Sequence, residues 1–184
     1  MKKYIAPSIR MTIAMLMLCC VIYFGLVTLI GKLAPGNGHG ETLSANGRIV
    51  GYALIGQKFT ADKYFWGRPS AVDYNAAGSG GSNKAGSNPD YVKMVGERID
   101  AFLAHNPGVS RAQLPAEMVT ASGSGLDPDI SPASAYVQVA RIARVRKQSP
   151  ASIQSLIDQQ TIKNAIGPDK VNVLKLNIAL DKLK

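Results

Sequence analysis

Residues Met11–Ile30, MTIAMLMLCCVIYFGLVTLI, contain no charged side chain, and no other feature constrains the chain as much. At about 1.5 Å per residue, a helix of this length reaches roughly 30 Å, the thickness of a bilayer's hydrocarbon core. A core helix of a soluble domain keeps a polar face; here only Thr12 and Thr28 are weakly polar. The run reads as a membrane-spanning helix behind a short tail, residues 1–10.

The alternatives are a cleaved signal peptide and a lipoprotein. The run exceeds the roughly 7–15 apolar residues of a signal-peptide core, and Lys32-Leu33-Ala34 is a poor cleavage site. Leu18 stands before Cys19 where lipid attachment needs a small residue. An uncleaved signal anchor is the better reading. Lys2, Lys3 and Arg10 precede the span and only Lys32 follows closely. Positive residues stay in the cytoplasm, which puts residues 31–184 outside it.

Both cysteines, Cys19 and Cys20, lie inside the span, so the outer region has no disulfide and no thiolate site. The chain's net charge is +9; without the three leading cations, 18 basic residues face 12 acidic ones, leaving +6. The cations are scattered and not interleaved with aromatics, so nucleic acid is not the implied partner. An acidic partner or anionic headgroups fit better.

Residues 31–48 read as a Gly-rich stalk and 49–184 as one domain. Ile49–Gly56, IVGYALIG, is a β-type run, and Tyr64–Gly67, YFWG, a short aromatic strand or turn. Three helices begin with a polar cap and proline. These are Asn88-Pro89 (to about His105), Ser131-Pro132 (to about Gln148) and Ser149-Pro150 (to about Asn164). In the second, Ala135, Val139 and Ile142 form one face; Arg141, Arg144 and Lys147 form another, either solvated or a docking stripe. Val171–Leu183 suggests a strand to Leu174, then a helical end using Leu176, Leu180 and Leu183. The fold class is α+β, a small sheet with three or four helices.

No catalytic constellation emerges. His39 falls in the stalk and His105 at a helix end, and no G-x-S-x-G elbow exists. Asp127-Pro128-Asp129 lacks the ligand number of a calcium loop and suits turn hydrogen bonds ahead of Ser131. Carboxylate pairs for glycoside chemistry are not singled out. The loop Asn75–Pro89, NAAGSGGSNKAGSNP, looks like a phosphate cradle, but Lys84 follows Asn83 and precedes Ala85, which breaks the Walker A spacing. Gly78 and Gly80 begin a G-x-G-x-x-G that fails at Asn83.

In order along the chain stand ALIGQKF (Ala53–Phe59), YFWGRPSA (Tyr64–Ala71), SGGSN (Ser79–Asn83) with SNP (Ser87–Pro89), VTASGSGLDPDISP (Val119–Pro132), QVARIARVR (Gln138–Arg146) and VNVLKLNIALDKL (Val171–Leu183). Together with the single span they resemble the C subunit (KdpC) family of the bacterial Kdp potassium-transporting ATPase, over nearly the whole chain. Asp129 stands where many relatives have His, and Lys84-Ala85 departs from the usual loop.

The resemblance implies a non-catalytic accessory subunit needed for assembly. It also implies a catalytic chaperone that raises the ATP affinity of the ATPase subunit, indirectly if the domain lies outside. The implied partners are a channel-like potassium-binding subunit, a P-type ATPase subunit and a small single-span subunit. The implied place is the plasma (inner) membrane, with no cofactor or metal bound directly; ATP and potassium belong to the partners. The signature residues it offers as partner contacts are Gly67, Arg68, Pro69, Ser79, Gly80, Gly81, Ser82, Asn83, Ser122, Gly125, Leu126, Gln138 and Arg141. The glycine loop either packs within its own domain or touches the channel-like subunit. The rival reading is a stand-alone anchored periplasmic binding protein or enzyme.

Overall fold

The computed structural model describes Lys2–Leu183. The chain divides into two compact units after Glu41. The first is helical: α1 (Lys2–Leu16), a π turn (Met17–Ile22) and α2 (Tyr23–Gly31) follow without a break. From Lys3 to Gly31 the helix is long and apolar enough to cross a membrane, with none of its most apolar stretch buried. It begins well before Met11, because Lys2–Arg10 continue the same helical turns. The π turn carries Cys19 and Cys20, both exposed.

The second unit opens on a hairpin of β1 (Thr42–Ala45) and β2 (Arg48–Tyr52), paired antiparallel. This corrects the stalk reading, which ran to residue 48. Asn46 and Gly47 both have positive φ, 52° and 75°, as a two-residue turn that matches strand twist requires. The Asn-Gly pair is the signal the composition-based reading passed over. The β-type run expected to Gly56 ends at Tyr52.

α3 (Pro89–His105) starts at the expected cap, where Asn88 Oδ1 accepts from the Tyr91 amide at 3.1 Å. The second expected helix is broken into α4 (Pro132–Tyr136) and α5 (Val139–Arg146). Gln138 sits at the break, its amide N–H on the Ala135 carbonyl and its side chain reaching both Ser134 and Trp66. Lys147 ends α5 in the left-handed region. α6 (Pro150–Gln160) stops before Asn164 because Thr161–Ile162 form a strand.

Three short strands make the second sheet, in the order β3 (Asp129–Ile130), β5 (Lys170–Asn172), β4 (Thr161–Ile162), all antiparallel. α7 (Val173–Lys182) then starts earlier than the strand expected to Leu174 allows. Its cap is Asn172, whose Oδ1 accepts from the Lys175 amide at 3.0 Å.

The core lies between this sheet and the helices. Ala135, Val139 and Ile142 meet Ile153, Leu156 and Ile157 of α6 and Leu176 and Leu180 of α7. Residues three and four apart on a helix share a face, which is how these side chains come to one side. Phe65 and Phe102 close the same cluster, bringing the segment before α3 into the core.

Candidate partner-binding site

The segment Ala61–Trp66 turns over Ala61–Tyr64 and runs on through Phe65 and Trp66 without joining either sheet. A buried backbone without partners is costly, and here each of its six carbonyls accepts a hydrogen bond. The Ala61 carbonyl takes the Tyr64 amide and the Trp66 indole. Arg141 donates to the carbonyls of Asp62 (2.6 Å) and Tyr64 (3.0 Å), and Arg146 to that of Lys63 (2.7 Å). Asn177 brackets Phe65, accepting from its amide at 2.9 Å and donating to its carbonyl at 3.0 Å. Gln138 does the same for Trp66 at 2.8 and 3.1 Å. Two side-chain amides and two arginines replace the neighbouring strands.

This corrects the reading of the basic stripe. Arg141 is 1% exposed and Gln138 fully buried, so neither presents a surface to a partner; Arg144 and Lys147 remain exposed. Arg141 also reaches Asn106 Oδ1 at 3.0 Å and Gln138 Oε1 at 2.7 Å, and its guanidinium lies 4.3 Å from the Trp66 ring centre. Burial pulls its pKa down to about 10, with the Asp62 carboxylate opposing and Arg144 adding to the fall. It keeps its charge at neutral pH. His105 Nδ1 lies 2.7 Å from Asp62, and its ring meets Trp66 edge-on, 5.0 Å between centres.

Held this way, Trp66, Gly67, Arg68 and Pro69 form one wall of a cleft of about 310 Å³ against α3. The opposite rim is strained. Asp73 and Tyr74 both have positive φ, 49° and 60°, a conformation that costs non-glycine residues free energy. Ser70 Oγ supports it by accepting from the amides of Val72 and Tyr74, and the Tyr74 hydroxyl donates to the Arg68 carbonyl. Burial, then Asp73 and Asp127, push the Tyr74 pKa up.

Arg68 joins this cleft to a second cavity of about 420 Å³. It pairs with Asp127 at 3.0 Å, and its Nε is buried without a partner. The carboxylates that line the second cavity all have partners, Asp169 accepting from the Asn164 amide at 3.2 Å. Asp127 also accepts from the Asp129 amide at 3.0 Å, the turn bond expected there, and Asp129 pairs with Lys170 at 2.7 Å. Burial pushes Glu117 up, but hydrogen bonds from Ser131 and Ser134, helped by Arg68, hold its pKa below the ordinary value. Among the described residues no group of three or more His, Cys, Asp or Glu could hold a metal ion.

The remaining signature residues form a clasp between two loops. The Gly80 amide and the Ser79 hydroxyl both donate to the Ser124 carbonyl, at 2.8 and 3.0 Å. Ser122 is buried beside them, and the Leu126 carbonyl accepts from Gly56 at 2.8 Å. Gly125 has φ +67°, and a Cβ there would stand 2.8 Å from the Gly80 carbonyl. Gly80 and Gly81 are half-buried; of the rest, Ser82 is half-buried, while Asn83 (φ 52°) and Lys84 are exposed. Ser79 and Gly80 of the glycine loop thus bond within the domain, while Asn83 and Lys84 stay exposed.

Residues 5–182 match the family described as "KdpC: K+-transporting ATPase, c chain". The chain is similar to a "Potassium-transporting ATPase KdpC subunit" of Flavobacterium psychrophilum, 54% identical over 99% of this chain and 100% of the relative. Proteins of the same description from Flavobacterium johnsoniae and Bacteroides fragilis are 53% and 47% identical over 99% of this chain, covering 100% and 98% of their own lengths. A match that runs end to end, through the apolar helix and every segment of the clasp and cleft alike, places this chain in the KdpC family of potassium-transporting ATPase subunits.

Proposed function

We propose that this chain is a non-catalytic accessory subunit of an ATP-driven potassium-import complex, anchored in the plasma membrane by Lys3–Gly31. The observation that carries this is the end-to-end match to potassium-transporting ATPase subunits, anchor helix included. Its partners are a channel-like potassium-binding subunit, a P-type ATPase subunit and a small single-span subunit. Those partners handle potassium and ATP. The three cations before the span support an extracytoplasmic domain, at the potassium-entry mouth of the channel-like subunit.

The glycine loop supports an assembly role over a nucleotide site. Its Gly80 amide and Ser79 hydroxyl are spent on Ser124, and Lys84 does not stand at the spacing of a phosphate loop. An effect on ATP affinity then works through conformation: the domain contacts one state of the complex better than another and shifts the balance between them.

Purification in gentle detergent tests the reading. The expected result is a stoichiometric complex with two much larger membrane proteins; a lone, active chain overturns it in favour of an anchored binding protein or enzyme. A chain cut back to residues 1–40 is expected to lose assembly or potassium uptake. For orientation, a Lys84→Cys variant in intact cells is expected to react with a membrane-impermeant maleimide. Labelling only after lysis would put the domain inside.

A further inference from the structure

The 310 Å³ cleft carries an imbalance of charge that the domain itself does not resolve. Four charged residues line it: Lys58, Arg68, Arg98 and Asp73. Lys58 and Asp73 neutralise each other at 2.7 Å. Arg68 finds its carboxylate, Asp127, in the neighbouring cavity, and leaves Nε buried and unpaired. Arg98, half-buried on α3, donates to the Val119 carbonyl at 3.1 Å and has no carboxylate partner among the described residues. Between and below these cations the walls are apolar: Phe59, Trp66, Phe102 and Met118.

An inorganic anion would be stripped of water against those walls with little in return. A glutamate or aspartate side chain does better. Its methylenes lie on the aromatic floor while its carboxylate meets guanidinium donors, which hydrogen-bond to charged groups more strongly than to neutral ones. The rigid wall matters as well: Trp66 is held by Gln138 on its backbone and Arg141 on its ring, so the socket is preorganised and little entropy is lost on docking.

From this we infer that the cleft between the Trp66–Pro69 wall and α3 is a socket for an acidic side chain on an outer loop of a partner membrane subunit. The inference rests on the subunit reading above and names the surface that reading leaves open. The seat is small, so it serves as one anchoring point within a larger interface.

Two substitutions test it in the complex purified from membranes. Ala101 is exposed on the α3 rim, and Thr60 is exposed on the other. Ala101→Glu places a carboxylate of the chain's own in the socket. Retention of the large partner subunits is expected to fall about tenfold, the scale for a repelled charge at an interface. Ala101→Ser is expected to retain them. A photo-crosslinking p-benzoylphenylalanine at Thr60 is expected to join a partner peptide that contains Asp or Glu.

Normal retention by Ala101→Glu, or crosslinks confined to this chain and lipid in a complex that assembles, would overturn the socket. If Ala101→Glu fails to fold, shown by loss of its thermal transition, the Thr60 crosslink decides alone. A wild-type chain that brings down no partner overturns the subunit reading itself, which separates the two failures.

Discussion

Arg141 shows what a single residue does here. It occupies the centre of the domain, binds two backbone carbonyls and two side-chain amides, and covers the Trp66 ring. Removing one member of such a buried set leaves the others unpaired. Arg141→Leu is expected to cost about 3–5 kcal/mol, read by denaturant unfolding of the detergent-solubilised chain. Arg144→Leu, three residues on but exposed, is expected to stay within about 0.5 kcal/mol. Equal losses would mean that Arg141 is solvated. At Gly125 the left-handed backbone and the nearby Gly80 carbonyl leave no room for a methyl group. Gly125→Ala is expected to cost about 1–3 kcal/mol, seen as a lowered thermal midpoint; an unchanged midpoint would show that the two loops do not clasp.

At the scale of elements, caps and turns were legible. Asn88, Ser131 and Ser149 each accept from the amide three residues on, as their Xaa-Pro context implied. Asn88→Ala is expected to destabilise by about 1 kcal/mol, measurable as a shift of the same midpoint, with Asn88→Asp close to the parent. Spacing also marked the buried face of α4–α5, because helical periodicity is a local property. It did not reveal that the helix breaks at Gln138, nor that the YFWG segment lies outside both sheets and is held by side chains. The partners of Trp66 and Phe65 come from residues 72 and 112 positions away. No local pattern records which amide will turn toward which backbone. The Asn46-Gly47 hairpin was readable from its turn residues and was hidden only by the glycine-rich composition around it.

For the whole molecule, pH connects the second cavity to stability. Glu117 has a pKa lowered from its ordinary 4.5. Its contribution is therefore complete above that ordinary value and disappears as the pH falls through the lowered one. The thermal midpoint of the parent is expected to drop more steeply than that of Glu117→Gln between about pH 5 and pH 3; parallel curves would detach Glu117 from the acid limb. The net positive region 31–184, +6 by sequence, attracts acidic partners and repels free cations, so salt is expected to weaken association with partner subunits.

Sequence alone determined what depends on neighbours in the chain. It gave the length and apolarity of the anchor, the helix starts, the hydrophobic faces, the failure of the nucleotide motifs and, through ordered signature segments, the family. Tertiary structure alone decided where the arginines went. A guanidinium at helical spacing serves equally as a solvated charge or as a buried clamp. The choice depends on whether distant carbonyls and an aromatic ring converge to replace its water. Here Asp62, Tyr64 and Trp66 converge on Arg141, and that convergence turns a basic helix inward and shapes the cleft on the other side of the tryptophan.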